Sequence, residues 1–488
     1  RLQKQGEVQK PCLIVAPLSL LANWREEITK TFKSSPFSEI VTLQSKEDLK
    51  AYKVTGAKRE TIQSFDDSQS ENQGIRYSLK IGNEYGIDRL DKPKRLILTT
   101  YQTLRDYQFS LSRVDWGLTI FDEAQNIKNP NAMQTRAAKA IKAEFKLLAT
   151  GTPVENSLKD FWCLLDTCTP GLLGSWREFR ESYIEPIVRS DGSPNVKAKI
   201  GASLRSKVGR FMLRRTKEEC LESLPEKNIW VGTMPTAEQK SDSRLYLPMP
   251  EAQEQPYNEV LRFIRALDPD ARAAEALSAL HKLRVISLHP NLSETAASRS
   301  LPNLAEISNS AKFLSTFELL DQIEGAGEKA IIFVISKDAQ RLVATLVSLR
   351  FGIDVNIING ETQTHSRFNN EITRLGLIRQ FESEPGFGVI VMSPIAAGVG
   401  LTVVEANHVI HLERHYNPAK EAQATDRVYR IGQTRPVHVY LPMAKHKEVP
   451  SFDERLHDLL VQKAELSSAV MVADPVSDKQ LLDAMGLS

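Results

Sequence analysis

Cysteine is scarce in this chain of 488 residues, and long apolar runs are missing from it. The cysteines form no C-x-x-C pair, which argues against a zinc cluster or a disulfide framework and favours a reducing compartment. There are four of them: Cys12, Cys163, Cys168 and Cys220. No stretch approaches the roughly 18 apolar residues that cross a bilayer, and no secretory leader opens the sequence. We therefore expect a cytoplasmic protein with no membrane partner.

An excess of one charge is missing as well. The 63 basic and 61 acidic side chains leave a net charge of +2, so bulk charge does not draw the chain to a polyanion. Any contact with nucleic acid must then be local. Hydrophobic residues make up 41% of the chain and charged residues 25%, which is ordinary for a globular protein. A chain of this length predicts at least two domains.

Short apolar runs rich in β-branched residues alternate with longer patterns of helical spacing, which is typical of parallel sheets covered by helices on both faces. The first series of runs is CLIVAP from Cys12, LILTTY from Leu96, LTIFDE from Leu118 and KLLATGTP from Lys146. The second series is KAIIFVIS from Lys329, DVNIING from Asp354, FGVIVMSP from Phe387, NHVIHLE from Asn407 and VHVYLP from Val437. We therefore predict an α/β fold with two doubly wound parallel-sheet lobes and helical insertions.

Changes of composition predict the domain boundaries. Residues 1–226 are expected to form the first lobe and residues 311–488 the second. Residues 227–310, rich in proline and polar side chains around an alanine-rich helical pattern, are expected to be an interlobe linker with a helical insertion. The polar segment from Gln44 to Lys94 is expected to be a surface insertion of the first lobe.

Two carboxylates, Asp122 and Glu123, end an apolar run in LTIFDEAQ. Doubly wound sheets place ligand chemistry at the carboxyl ends of their strands. A magnesium ion needs carboxylate oxygen, and an attacking water needs a neighbouring base, so Asp122 suits the first role and Glu123 the second. Taken alone, such a pair is more often a strand that ends in solvent.

Two turns follow apolar runs and could approach a phosphate closely. One carries Thr150, Gly151 and Thr152 after the run that begins at Lys146. The other carries Gly398 and Gly400 in SPIAAGVGLT. Without further context, ordinary turns explain both.

The segment NPAKEAQATDRVYRIGQ predicts a helix that starts at Pro418 and stops at Gly432. Gln423, Arg427 and Arg430 would then lie on one face, because their spacings are four and three. Two arginines aimed together can stabilise the charge that develops on a transferring phosphoryl group. A solvated helix face is the competing interpretation.

The order of these segments resembles the motor of SWI/SNF-type DNA translocases of helicase superfamily two. In the first lobe the resembling segments are PCLIVAPLSLLANW (motif Ia), TTYQTL (motif Ib), FDEAQNIKNP (motif II) and LLATGTPVENSLKDFWCLLD (motif III). In the second lobe they are KAIIFVISKDAQ (motif IV), VMSPIAAGVGLT (motif V) and QATDRVYRIGQTRPVHVY (motif VI). Each segment alone is only suggestive, but this order and spacing are highly specific.

The resemblance implies two RecA-like lobes that hydrolyse ATP and move along double-stranded DNA, usually without separating its strands. It implies that Asp122 holds Mg²⁺ through water and that Glu123 activates the attacking water. Arg427 and Arg430 would act as arginine fingers. Gln423 would bind the nucleotide and help to couple it to lobe closure.

The resemblance also assigns the two turns. Gly398 and Gly400 would lie at the nucleotide, and Thr150, Gly151 and Thr152 would couple the ATP site to DNA. The residues of the motifs resemble those of stand-alone bacterial members of the family. We therefore expect the protein to associate with the bacterial nucleoid.

Two of the chain's departures from the family pattern bear directly on its chemistry. Motif II reads Asp-Glu-Ala-Gln where many relatives have His as the fourth residue, which leaves both acidic roles in place but puts coupling through Gln125 in doubt. No G-x-x-x-x-G-K-[ST] pattern occurs, and the family places this phosphate loop before the PCLIVAP strand. We expect the loop upstream of Arg1, and we expect residues 1–488 alone to bind ATP weakly and hydrolyse it negligibly.

Three functions remain open at this stage. The first is the motor fragment of an ATP-dependent translocase on double-stranded DNA. The second is a non-catalytic DNA-binding or regulatory module that has lost its phosphate loop, and the third is an RNA-unwinding enzyme of the same superfamily. The acidic pair and the arginine pair favour the first, because an unused site tends to lose its charged residues.

Overall fold

The structure is a computed structural model with two compact units. It describes residues 10–44, 46–61, 77–151, 158–190, 194–213, 215, 217, 224–233, 235–292, 302–362, 373–397, 401–470 and 476–487. The first unit is Arg1–Met212 with Ser468–Val472, and the second is Leu213–Ser467 with Ala473–Ser488. Each unit contains its own parallel sheet and is described by itself.

The first unit is built on a parallel sheet of five strands in the order β2-β3-β1-β4-β5. The strands are β1 (Cys12–Val15), β2 (Glu39–Leu43), β3 (Arg95–Thr99), β4 (Asp115–Asp122) and β5 (Lys142–Ala149). Because all of them are parallel, their carboxyl ends meet at one edge. Helices and loops connect successive strands.

Helices pack on both faces of the sheet, and the helices between residues 158 and 208 also form an apolar cluster of their own. The helices of this unit are α1 (Leu21–Thr31), α2 (Lys46–Tyr52), α3 (Tyr101–Asp106), α4 (Gln108–Ser112), α5 (Met133–Ala140), α6 (Leu158–Cys168), α7 (Trp176–Phe179), α8 (Glu185–Arg189) and α9 (Pro194–Val208). Side chains alternate along β1, so Leu13 and Val15 enter one core while Cys12 and Ile14 enter the other. Both faces are thus buried, as a doubly wound sheet requires.

The segment expected to be a surface insertion contributes to the first core. Leu79, Ile81 and Leu90 are all buried there, together with the sheet residues. The expectation is therefore wrong for the described part of that segment, because its apolar side chains pack into the core and its polar Glu60 and Ser78 are buried as well.

The second unit contains a parallel sheet of seven strands in the order β10-β11-β9-β12-β13-β6-β7. Its strands are β6 (Lys227–Val231), β7 (Gln239–Ser241), β9 (Lys329–Phe333), β10 (Asn356–Ile358), β11 (Gly388–Met392), β12 (His408–His411) and β13 (Val437–Leu441). A separate parallel pair joins β8 (Tyr246–Pro248) to β14 (Met443–Lys445).

Helices pack on both faces of this sheet too, and helices from residues 251–288 and 452–485 form further apolar clusters. The helices of this unit are α10 (Glu251–Ala266), α11 (Pro269–Leu288), α12 (Ala311–Ala326), α13 (Lys337–Phe351), α14 (Arg374–Ser383), α15 (Pro394–Ala397), α16 (Pro418–Thr425), α17 (Phe452–Val470) and α18 (Asp478–Met485). On β9, Ile332 enters the core on one face while Ile331 and Phe333 enter the core on the other. The predicted α/β class with two doubly wound lobes is confirmed.

The domain boundaries at residues 226 and 310 stay a prediction. The two units divide after Met212, with Ser468–Val472 assigned to the first, and β6 and β7 pair within the second sheet. Among the described residues, no helix is long and apolar enough to cross a membrane.

Candidate active site

Asp122 is the last residue of β4 and is held by hydrogen bonds from three directions. Its Oδ2 accepts from the Trp24 indole Nε1 at 2.8 Å, and its Oδ1 accepts from the backbone N of Glu123 at 2.9 Å. The Tyr101 hydroxyl donates to its main-chain carbonyl at 2.7 Å. The carboxylate is therefore oriented by α1 and by its own following peptide, and its backbone is anchored by α3.

Glu123 has an unusual backbone conformation. Its φ of 50° and ψ of 52° lie in the left-handed region, which non-glycine residues seldom occupy. It precedes a short helical turn over Ala124–Ile127. Strained residues of this kind concentrate at functional sites, where the surrounding structure holds them.

A chain of side-chain hydrogen bonds leads from Glu123 to the end of β5. The Gln125 amide Nε2 donates to Glu123 Oε2 at 2.7 Å, and Thr150 Oγ1 donates to Gln125 Oε1 at 2.8 Å. The Gln125 amide can bond to both Glu123 and Thr150, because its nitrogen donates and its oxygen accepts. The structure thus brings together four of the residues selected from the sequence: Asp122, Glu123, Gln125 and Thr150.

Sequence reasoning missed Trp24 and Tyr101 as members of this site. In the sequence, the spacing of Trp24 from Leu21 and Ile28 indicates only the apolar face of a helix. Burial, followed by the negative charges of Asp122 and Glu123, raises the pKa of the Tyr101 hydroxyl well above its usual value. Tyr101 therefore stays a hydrogen-bond donor at neutral pH. No spacing signal links either aromatic residue to the carboxylates.

The arginine segment of the second unit is not one continuous helix. As predicted, α16 starts at Pro418, and the Asn417 side chain caps it by accepting from two backbone N–H groups. The helix ends at Thr425, so Gln423 lies in the helix while Arg427 lies in the turns that follow. The predicted single helical face is therefore wrong.

Tertiary partners hold these turns. The carbonyl of Arg427 accepts from the backbone N of Val403 at 3.0 Å. The Gln433 amide donates to the carbonyls of Val404 and Ala406 at 2.9 and 2.8 Å. Motif VI is thus fixed to the segment that follows motif V. Arg430 is exposed.

Lys217 is a further residue that sequence reasoning missed. Its Nζ forms an ion pair with Asp426 at 2.9 Å and donates to the Tyr429 carbonyl at 2.5 Å. Burial lowers the pKa of Lys217, and its hydrogen bond to Asp426 acts in the opposite direction. Lys217 thereby supplies a cation to the turns that carry Arg427 and Arg430.

Not every selected residue can be placed. Thr152, Gly398 and Gly400 lie outside the described residues. Gly151 is exposed, and no neighbouring atom of the described structure lies within 4 Å of the position that a Cβ would occupy. Packing among the described residues therefore does not require glycine there.

The acidic end of β4 suits a magnesium ion. Mg²⁺ takes oxygen ligands, keeps several waters, and is commonly bound by one or two carboxylates together with substrate phosphates. Asp122 offers such a carboxylate at the sheet edge where ligands bind. In the part of the chain that the structure describes, no group of three or more His, Cys, Asp or Glu side chains gathers as a metal site.

Family models match both units. The SNF2-related domain matches residues 1–292, and the helicase conserved C-terminal domain matches residues 311–432. The chain belongs to the SNF2-related family. The resemblance seen in the sequence is therefore confirmed, and with it the membership of a family of helicase-like, ATP-dependent translocases.

Relatives extend across nearly the whole chain. The Zorya protein ZorD of Escherichia coli O139:H28 (strain E24377A / ETEC) is 39% identical over 470 residues, which cover 96% of this chain and 40% of that protein. The putative ATP-dependent helicase/translocase YwqA of Bacillus subtilis is 29% identical over 485 residues, which cover 97% of this chain and 44% of that protein. The chain thus spans less than half the length of these two relatives.

A solved structure, the Sulfolobus solfataricus SWI2/SNF2 ATPase core in complex with dsDNA, is 26% identical to the chain. The match covers 100% of this chain and 88% of that one, with a TM-score of 0.38. At that TM-score the likeness adds nothing to the fold assignment, which rests on the two sheets and on the family models.

Proposed function

We propose that this chain is the motor portion of an ATP-dependent translocase on double-stranded DNA. The observation that carries the proposal is the acidic end of β4, where an oriented Asp122 stands beside a strained Glu123. That arrangement belongs to a chain of the SNF2-related family, and the relative YwqA is named a helicase/translocase. The activity is that of the whole protein, of which this chain is the motor portion.

Asp122 and Glu123 divide the hydrolytic work in this proposal. Asp122 would hold Mg²⁺ through water, and the ion, when bound, would neutralise charge on the ATP phosphates. Glu123 would orient the attacking water and accept its proton. Its carboxylate is kept in place by the Gln125 amide, which donates to Oε2 at 2.7 Å.

The arginines of motif VI would supply the cationic groups. Arg427 and Arg430 would stabilise the charge that develops on the transferring phosphoryl group. Gln423, with Gly398 and Gly400, would contact the nucleotide. Lys217 supports this assignment, because it holds the backbone of the turns on which both arginines lie.

Coupling between hydrolysis and DNA would run through the hydrogen bonds of Gln125. Its amide joins the catalytic Glu123 to Thr150, which follows β5 and precedes the bend at Gly151. A shift of that bend would then change the position of the base. The glutamine that replaces the histidine of many relatives can serve this purpose, because it donates at one end and accepts at the other.

Double-stranded DNA is the proposed track. Contacts to its phosphates would dominate, so sequence would be read weakly. Association with the bacterial nucleoid belongs to the same proposal, as does the use of Mg²⁺ with ATP.

The test is the rate of ATP hydrolysis by the intact protein with no nucleic acid, with duplex DNA, with single-stranded DNA and with RNA. We expect duplex DNA to give the largest stimulation. Glu123→Gln is the control, because general bases contribute roughly 100-fold to 10,000-fold in rate and nucleotide binding should survive. Turnover indifferent to every nucleic acid would reject the translocase, and stimulation by RNA alone would indicate an RNA-dependent enzyme.

A further inference from the structure

The contact between Trp24 and Asp122 joins two parts of the first unit that lie 98 residues apart in sequence. Trp24 lies on α1, whose Leu21 and Ile28 pack into the core beneath the sheet. Its indole Nε1 lies 2.8 Å from Asp122 Oδ2 at the carboxyl end of β4. An apolar helix face thereby presents one polar atom to the proposed magnesium carboxylate.

The chemistry of an indole suits a permanent orienting contact. Its N–H only donates, so it cannot exchange roles as a hydroxyl or an amide can. The backbone N of Glu123 takes the other carboxylate oxygen at 2.9 Å. With one donor from the described residues on each oxygen, the plane of the carboxylate is fixed, and each oxygen has a second lone pair that could accept from a metal-bound water.

Other tryptophans of the same unit use their N–H differently. Trp116 Nε1 donates to the Leu111 carbonyl at 3.0 Å, and Trp162 Nε1 donates to the Gly174 carbonyl at 3.1 Å. Those bonds satisfy a buried donor with main chain, which is a structural role. Trp24 instead donates to an ionisable side chain at the end of the strand where ligands bind.

We propose that Trp24 is a positioning residue that orients Asp122 for the hydrated magnesium ion. The proposal rests on the proposed function, because it needs a metal at Asp122. Partners that orient a metal-ligating side chain typically change metal affinity or activity by about 10-fold to 100-fold when they are removed. The loss should appear in metal binding, and an excess of metal should restore turnover.

The test measures Mn²⁺ binding to the intact protein in the presence of ADP, by the electron paramagnetic resonance signal of free Mn²⁺. In Trp24→Phe we expect the dissociation constant of Mn²⁺ to rise about 10-fold to 100-fold. Trp24→His, whose ring N–H can donate, should recover part of the affinity. In the ATPase assay, Trp24→Phe should need more Mg²⁺ for half-maximal turnover and should approach the wild-type kcat at high Mg²⁺.

The matched control is Trp162→Phe, which removes the same indole donor from a backbone carbonyl of the same unit. It should lower the melting temperature without changing Mn²⁺ affinity. If Trp24→Phe does not fold, benzothienylalanine at position 24 keeps the shape of the ring system and removes only the N–H. Wild-type affinity in that variant or in Trp24→Phe, or an equal loss in Trp162→Phe, would overturn the positioning role.

The two proposals can fail separately. If the wild-type protein neither binds Mn²⁺ with nucleotide nor hydrolyses ATP, the proposed function fails and this inference fails with it. If the wild-type protein does both and the Trp24 variants match it, the proposed function stands and only the role of Trp24 is lost.

Discussion

Glu123 combines an unfavourable backbone with a chemically suitable side chain. A left-handed conformation costs a non-glycine residue roughly 1–2 kcal/mol. Here the residue sits at φ 50° between the end of β4 and the helical turn that follows it. We interpret this strain as the cost of pointing a carboxylate at the catalytic water, because the main chain would tolerate glycine better.

A pair of substitutions at Glu123 separates strain from chemistry. Both Glu123→Gly and Glu123→Ala remove the carboxylate, so both should abolish turnover in the intact protein. Glycine relieves the left-handed strain, so the glycine variant should be about 1 kcal/mol more stable than the alanine variant in chemical denaturation. Equal stability of the two variants would mean that the backbone at this position is not strained.

Arg427 and Arg430 differ in their surroundings although they are proposed to share a role. The main chain of Arg427 is tied to Val403, whereas Arg430 is exposed. Removing an interaction that is made only in the transition state lowers kcat and has little effect on substrate binding. We expect Arg427→Ala and Arg430→Ala each to reduce kcat much more than nucleotide affinity, with calorimetric titration as the measure of affinity.

The control for these variants is Arg435→Ala in the same segment, whose side chain forms an ion pair with Glu405. Its kcat should stay near the wild-type value. Parallel losses of kcat and affinity in Arg427→Ala or Arg430→Ala would indicate ground-state binding or misfolding and would contradict the finger role.

At the scale of elements, α16 is held in place by a buried cluster of charged and polar side chains. Arg414 forms a bidentate ion pair with Glu421 of α16, with both bonds at 2.7 Å, and donates to His457 Nδ1 at 3.1 Å. His411 Nε2 lies 2.8 Å from Thr425 Oγ1 at the end of the helix. This cluster fixes the helix that precedes both arginines.

The cluster predicts that the second unit loses stability in mild acid. Burial, and then the positive charge of Arg414, lowers the pKa of His457 to about 4, and burial lowers that of His411 to about 4. Between pH 6.5 and 4 both histidines become protonated in the unfolded chain but stay neutral in the folded protein. The free energy of unfolding therefore falls as pH falls through this window. Burial alone would raise the pKa of Glu421, but the charge of Arg414, the influence of His411 and hydrogen bonds from Arg414 and His415 together lower it to about 2. The contribution of Glu421 to stability therefore declines only below pH 4.5.

His457→Gln tests this window, because its amide oxygen can still accept from Arg414 while the titration is removed. We expect the free energy of unfolding, measured in urea, to fall less between pH 6.5 and 4 than in the wild-type protein, by up to about 3 kcal/mol. His281→Gln, at an exposed histidine of α11, is the matched control and should leave the pH profile unchanged. An unaltered profile in His457→Gln would contradict the account of the cluster.

The sequence predicted the class of both sheets and the position of the acidic pair, because apolar runs that end in charge mark the carboxyl ends of strands. It did not predict the end of α16. The residues from Ala419 to Arg430 are acceptable in a helix, and only Gly432 looked like a stop. In the structure, Val403 and Lys217 bond to carbonyls of the following turns, and such distant partners leave no local signal.

The contacts of the acidic pair were hidden for the same reason. Trp24 and Tyr101 reach Asp122 only after the parallel strands have aligned their ends, and Thr150 reaches Gln125 across the neighbouring ends of β4 and β5. Similarly, β6 and β7 come from a polar segment that was read as a linker, yet they extend the second sheet. The composition of this segment alone suggested a loop. In the sheet, the backbone N–H and C=O groups of β6 and β7 form hydrogen bonds with neighbouring strands.

At the scale of the whole molecule, the residues matched to ZorD and YwqA cover 40% and 44% of those proteins. We propose that ATP hydrolysis at the acidic end of β4 drives movement along duplex DNA.

Displacement of a third strand from triplex DNA by the intact protein tests this claim most directly. The account predicts that the wild-type protein releases the third strand only with ATP, that the underlying duplex stays paired, and that Glu123→Gln binds DNA without releasing the strand. Release that does not need ATP, equal release by Glu123→Gln, or DNA-stimulated hydrolysis without any release would contradict it.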